Sequence, residues 1–121
     1  MALEENHGYE NGDAFAADVI KVLKTTPLNL TKPVPLSFFL YIPNEITARK
    51  ASSELVECGF EVDVEESAQN DGNWLCWCDK LVDISFESLK EIGNKFLALA
   101  ETYNGEFDGW ETNRYVDHNL K

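Results

Sequence analysis

The feature that most constrains this chain is a hairpin pattern at its centre, set between two capped helical stretches. Phe60-Glu61-Val62-Asp63-Val64 alternates apolar and polar residues strictly, as a half-solvated strand does. Ser67 to Gly72 is a polar loop, and the chain returns through Asn73 to Lys80, where Trp74-Leu75-Cys76-Trp77-Cys78 is apolar on both faces. Two strands joined this tightly must pair antiparallel. They then need a further apolar layer to bury what they expose.

The flanking segments supply it. Asp13 is positioned to cap a first helix running to about Thr25, with Phe15, Val19, Val22 and Leu23 at helical spacing. Val34 to Ile42 is rich in β-branched and aromatic residues and is closed by Pro43, which predicts a strand. Leu36, Phe38, Leu40 and Ile42 share one of its faces, and Ser37, Phe39 and Tyr41 the other. Asn44 caps a second helix over about Glu45 to Cys58, with Ala48, Ala51, Leu55 and Cys58 on one stripe and Gly59 as its stop. Ser85 caps a third, whose stripe is Leu89, Ile92, Phe96, Leu99 and Tyr103, ending at Asn104-Gly105; Glu106 to Thr112 is the last strand. The order α-β-α-β-β-α-β contains a split pair of β-α-β units, so the expected fold is an α+β ferredoxin-like sandwich with an extra N-terminal helix. Right-handed crossovers put both later helices on one sheet face. The opposite face is left to the first helix, a partner or water.

The 121 residues, 44% of them hydrophobic, suffice for one core. We expect a polar lead over residues 1–12, a single domain over 13–113 and a tail over 114–121. Met1 to Asp13 has no apolar stretch of the kind that directs export, and no run is long enough to span a bilayer. Cys58, Cys76 and Cys78 are odd in number in a chain that needs no disulfide framework, which fits reduced thiols in the cytoplasm.

Twenty-two Asp and Glu against ten Lys and Arg give a formal charge of −12, which repels phosphate backbones and anionic lipids and favours basic partners. From Ala51 to Asp79 the acids Glu54, Glu57, Glu61, Asp63, Glu65, Glu66, Asp71 and Asp79 occur with no Lys or Arg between them. A charge run of this kind is commonly a solvated face and gains meaning only beside an apolar anchor. Phe39, Tyr41 and Trp77 are the candidate anchors, since they project from the sheet face away from the later helices. The competing account has the first helix covering them. The same layout is how RNA-recognition modules stack bases, but those carry cations where this chain carries acids.

Nothing supports catalysis or a cofactor. No Gly-rich phosphate loop follows a strand, and no Ser or Cys has a histidine beside it in the folded region. Cys76-Trp77-Cys78 offers half a tetrahedral metal site, and His7 and His118 lie in the terminal segments, so the thiols are expected to pack beneath a helix. Phe107-Asp108-Gly109-Trp110 suggests a bulge that re-aims Trp110, either toward a partner or into the core.

The segment Glu106-Phe107-Asp108-Gly109-Trp110, after a helix ending Leu99-Ala100-Glu101, resembles the hallmark of the regulator of ribonuclease E activity B family. Gly59-Phe60-Glu61-Val62 and the cysteine-bearing strand Leu75 to Asp79 fit it too. The resemblance implies a cytoplasmic, ferredoxin-like protein inhibitor that binds the arginine-rich, non-catalytic part of an RNA-degrading endonuclease. Better-known members continue into a long acidic tail, where this sequence has Arg114 and Lys121.

The resulting expectation is a protein-binding regulator of a basic partner, without direct nucleic-acid or membrane binding. Steering would come from Glu54, Glu57, Glu61, Asp63, Glu65 and Glu66, and anchoring from Phe39, Tyr41 and Trp77. Asp108 and Trp110 would fix the last strand at the interface. An acidic immunity or antitoxin-type protein satisfies the same charge argument, a small-ligand domain would need a pocket, and a homodimer through the sheet is also left open by the sequence.

Overall fold

The computed structural model describes residues 9–112. The N-terminal lead up to residue 8 and the tail from 113, with His7, Arg114, His118 and Lys121, lie outside the described residues. The elements are α1 (Gly12–Leu23), β1 (Val34–Ile42), α2 (Glu45–Glu57), β2 (Glu61–Glu66), β3 (Trp74–Val82), α3 (Phe86–Thr102) and β4 (Glu106–Thr112). The strands form one sheet in the order β2-β3-β1-β4, every neighbouring pair antiparallel. This is the ferredoxin-like arrangement with an added N-terminal helix.

Local chemistry sets the boundaries. Asn44 and Ser85 cap α2 and α3 by accepting from the Thr47 and Ser88 backbone N–H groups, as their positions in the sequence predict. The α1 cap is Asn11, not Asp13; its side chain accepts from Ala14 N–H, and Asp13 instead lies in the first turn, where its charge meets the positive helix end. The helix α2 ends with Gly59 at φ +96°, whose N–H donates to the Val56 carbonyl while Phe60 N–H donates to Leu55. That pair of bonds is a Schellman closure, and it explains why β2 begins at Glu61 rather than Phe60: the Phe60 amide still belongs to the helix end. The return strand runs to Val82, two residues past the expected Lys80, because Val34 and Pro35 pair with Val82 and Leu81.

The core fills the space between the sheet and the helices. Leu36, Phe38, Leu40 and Ile42 of β1, Cys76 and Cys78 of β3, and Phe107 and Trp110 of β4 are all buried. Phe96 of α3 stacks on Phe38 and Phe107, with ring centroids 5.2 Å and 4.9 Å apart.

The helix α1 joins this same layer. Gly12 N–H donates to the Asn94 side chain at 2.8 Å, and Phe15 packs against Gly93, where an added Cβ would stand 2.7 Å from the ring. Phe15 also lies against Phe38 and Phe107, which point to the helical side. The account in which the first helix covers Phe39, Tyr41 and Trp77 is therefore overturned. A helix with one apolar stripe can pack on only one layer, and here its partner is α3.

Candidate partner-binding face

With all three helices on one side, the other face of the sheet is uncovered by any described element. Strand register identifies what it presents, because residues directly opposite each other across a ladder point the same way. Phe39 pairs with Trp77, Tyr41 with Leu75 and Ser37 with Asp79. On the outer strand β2, Glu61, Asp63 and Glu65 lie opposite Asp79, Trp77 and Leu75. On the other outer strand, Glu111 lies opposite Ser37 and Glu106 opposite Tyr41.

The face is thus an aromatic and apolar strip along the two central strands, bordered by carboxylates on both outer strands. None of its outward strand positions carries Lys or Arg. The sequence reason is alternation: β1 and β3 are apolar on both faces, whereas β2 and β4 are apolar only toward the helices.

Phe39, Tyr41 and Trp77 are half-buried. Phe39 and Trp77 meet edge to face, centroids 5.1 Å apart at 77°. The Trp77 indole N–H donates to Asp79 at 3.1 Å, and the Ser37 hydroxyl donates to the same carboxylate oxygen. The strip is thereby held in place by its own neighbours before anything binds. Burial pushes the Tyr41 hydroxyl above its ordinary pKa, and the fields of Asp108, Asp71, Glu106 and Glu65 push it in the same direction. Acids from both borders and from the adjoining loop act together at the strip.

The segment Asp108-Gly109-Trp110 explains itself once the register is followed. Phe107 pairs with Leu40 and Trp110 with Phe38, so Asp108 and Gly109 together face Phe39. This is a bulge, with Gly109 at φ +104°, a conformation that strongly favours glycine. Strict alternation from Phe107 would turn Trp110 outward; the extra residue turns it inward. Trp110 is 1% exposed and its indole N–H donates to Asp18 of α1 at 3.4 Å, with the Tyr9 hydroxyl donating to the same oxygen at 2.6 Å. Trp110 is therefore corrected from a binding residue to a core residue, since its side chain has no surface to offer. Asp108 is exposed and stays on the open side.

The run of acids also divides. Glu61, Asp63 and Glu65 converge on the open face. Glu66 points to the helical side opposite Trp74. Glu54 and Glu57 lie on α2, where Glu54 accepts from the Tyr103 hydroxyl at 2.7 Å and from Lys95 at 3.4 Å and so ties α2 to α3. Asp79, Glu106 and Glu111 join the face although the sequence reading did not select them. Plain alternation with Trp77 and with Phe107 already marks Asp79 and Glu106 as outward, whereas Glu111 lies beyond the bulge and its side follows only from the β1–β4 register.

The two thiols of β3 pack beneath a helix as their positions predict, whereas Cys58, expected on the buried stripe of α2, is its exposed C-cap, because the helix ends one residue earlier. Cys76 and Cys78 are buried and unpaired on the helical side, and burial raises the Cys76 pKa to about 11. A cleft of about 650 Å³ lies between β3 and α3, lined by Phe60, Leu81 and Ile92 among others. Its lysines are already engaged, Lys80 on the Cys58 carbonyl and over the Phe60 ring, and Lys95 on Glu54. No described helix is long and apolar enough to cross a membrane.

The chain is similar to known proteins. The family model described as "Regulator of ribonuclease activity B" matches residues 13–112. A protein named Regulator of ribonuclease activity B from Pseudoalteromonas atlantica (strain T6c / ATCC BAA-1087) is 28% identical over 101 residues, 81% of this chain and 86% of the relative.

Proposed function

Because the chain belongs to the Regulator of ribonuclease activity B family, we propose that it acts in the cytoplasm as a non-enzymatic regulator, docking its open sheet face on a basic surface of an RNA-degrading endonuclease and so slowing RNA decay. The observation that supports this most is the aromatic strip of Phe39, Tyr41 and Trp77 bordered by Glu61, Asp63 and Glu65 on one side and Glu106, Asp108 and Glu111 on the other. Apolar anchors enclosed by a polar rim are the usual anatomy of a protein interface. The rim's single sign steers a cationic partner and weakens with salt. Two such faces stacked on each other would set carboxylates against carboxylates, which favours a partner of another kind over a homodimer.

The test is inhibition of a purified endonuclease from the same organism, measured on a fluorogenic RNA. Wild-type protein is expected to inhibit, and the double variant F39A/W77A to need a concentration about 30-fold higher, as for loss of roughly 2 kcal/mol from a hot spot. Equal inhibition by the double variant would remove the open face from the mechanism.

A further inference from the structure

We propose, building on that reading of the open face, that this face imitates a single-stranded nucleic acid and occupies the surface with which its partner holds the RNA backbone. RNA and this protein would then exclude each other on the partner.

Glu61, Asp63 and Glu65 are alternate residues of one extended strand, so the positions that carry their carboxylates recur about every 6.6 Å along a line. A linear, regularly spaced row of anions on an extended chain is the electrostatic form of a nucleic-acid backbone, and a surface that binds one by Lys and Arg contacts binds it for its charge and not its sequence. Across one strand from that row lie flat rings, Trp77 and then Phe39. Proteins that hold single strands place backbone-tracking cations beside groups that stack on flat rings, arginine among them. The open face offers the two complementary elements side by side, anions at the border and rings in the strip.

The arrangement is held without a partner. Asp79 accepts from both Ser37, which is 2% exposed, and Trp77, so the central acid and the indole are fixed relative to each other. A preorganised surface loses little freedom on binding, as a competitor with a flexible RNA strand requires. The same charges that make direct RNA binding unfavourable suit the face to RNA's binding site. Among the outward strand positions, no cation would repel that site.

The experiment uses the full chain, the purified endonuclease and a fluorescein-labelled 2′-O-methyl oligouridylate, a single strand that the enzyme binds without cleaving. Direct capture of labelled protein on the endonuclease is measured first, then anisotropy of the oligonucleotide as protein is added. The expected result is full displacement, with a midpoint that rises in proportion to oligonucleotide concentration. The isosteric triple variant E61Q/D63N/E65Q, checked for unchanged thermal unfolding, should displace it at least tenfold less well. Capture together with a retained oligonucleotide, or a midpoint that does not move with its concentration, would overturn the mimicry while the docking reading stands. Absence of capture would overturn both.

Discussion

Two tryptophans on the same sheet have opposite fates, one turned into the core and one turned to the open face on which the proposed recognition rests. Trp110 of β4 is turned inward by the Asp108-Gly109 bulge, and its indole N–H reaches across to Asp18 on α1. Trp77 of β3 is turned outward by plain alternation, and its indole N–H bonds Asp79 two residues along its own strand. A ring that bonds another element fastens the fold. A ring that bonds its own strand is positioned on the outward face of the sheet without tying it to a helix.

The strongest test of this division is to truncate each ring. W110A should lower stability by about 3–5 kcal/mol, since it empties a large buried site and strips a partner from Asp18. W77A should leave thermal unfolding within a few degrees of wild type while weakening association with the endonuclease. Comparable losses of stability in both variants, measured by urea unfolding, would erase the contrast.

A smaller effect is expected where α1 meets α3. G93V would press a branched side chain into Phe15, already 2.7 Å from the position of a bare Cβ, and should cost about 1–3 kcal/mol. Binding per folded molecule should be unchanged, because this contact lies behind the sheet. A loss of affinity exceeding the loss of folded fraction would show that the two faces are coupled.

The smallest is a pH effect between α2 and α3. The Tyr103 hydroxyl, foremost, and Lys95 hold the Glu54 carboxyl below the usual glutamate range. A lowered folded value means that this contribution is present above the unfolded glutamate pKa of about 4.3 and fades as pH falls through the folded value. The gap in melting temperature between wild type and Y103F should therefore be seen near neutrality and close at more acid pH. A gap that widened on acidification would contradict the assignment.

Much of this was legible in the residues. Alternation in Phe60 to Val64, the caps at Asn44 and Ser85 and the stop at Gly59 define elements through local chemistry, and their order limits the topology to one common fold. The outward direction of Phe39, Tyr41 and Trp77 followed from period two alone. What the sequence did not disclose depended on long-range packing. The stripe of α1 states that it is buried, not against which layer. The run from Glu54 to Glu66 is continuous in sequence but passes from a helix to a strand, which separates Glu54 and Glu57 from Glu61, Asp63 and Glu65. Trp110 was ambiguous because a bulge reverses every residue beyond it.

The central claim is that the acids of the open strands, and not acidity in general, bind the partner. It is tested most directly by titration calorimetry of the endonuclease at low and raised salt with two variants of equal charge change, E61Q/E65Q on the open face and E57Q/E66Q away from it. The account predicts that the first pair lowers affinity at least tenfold at low salt and flattens its salt dependence, while the second changes it less than threefold. Equal effects of the two pairs would contradict it, leaving only net charge to explain the attraction.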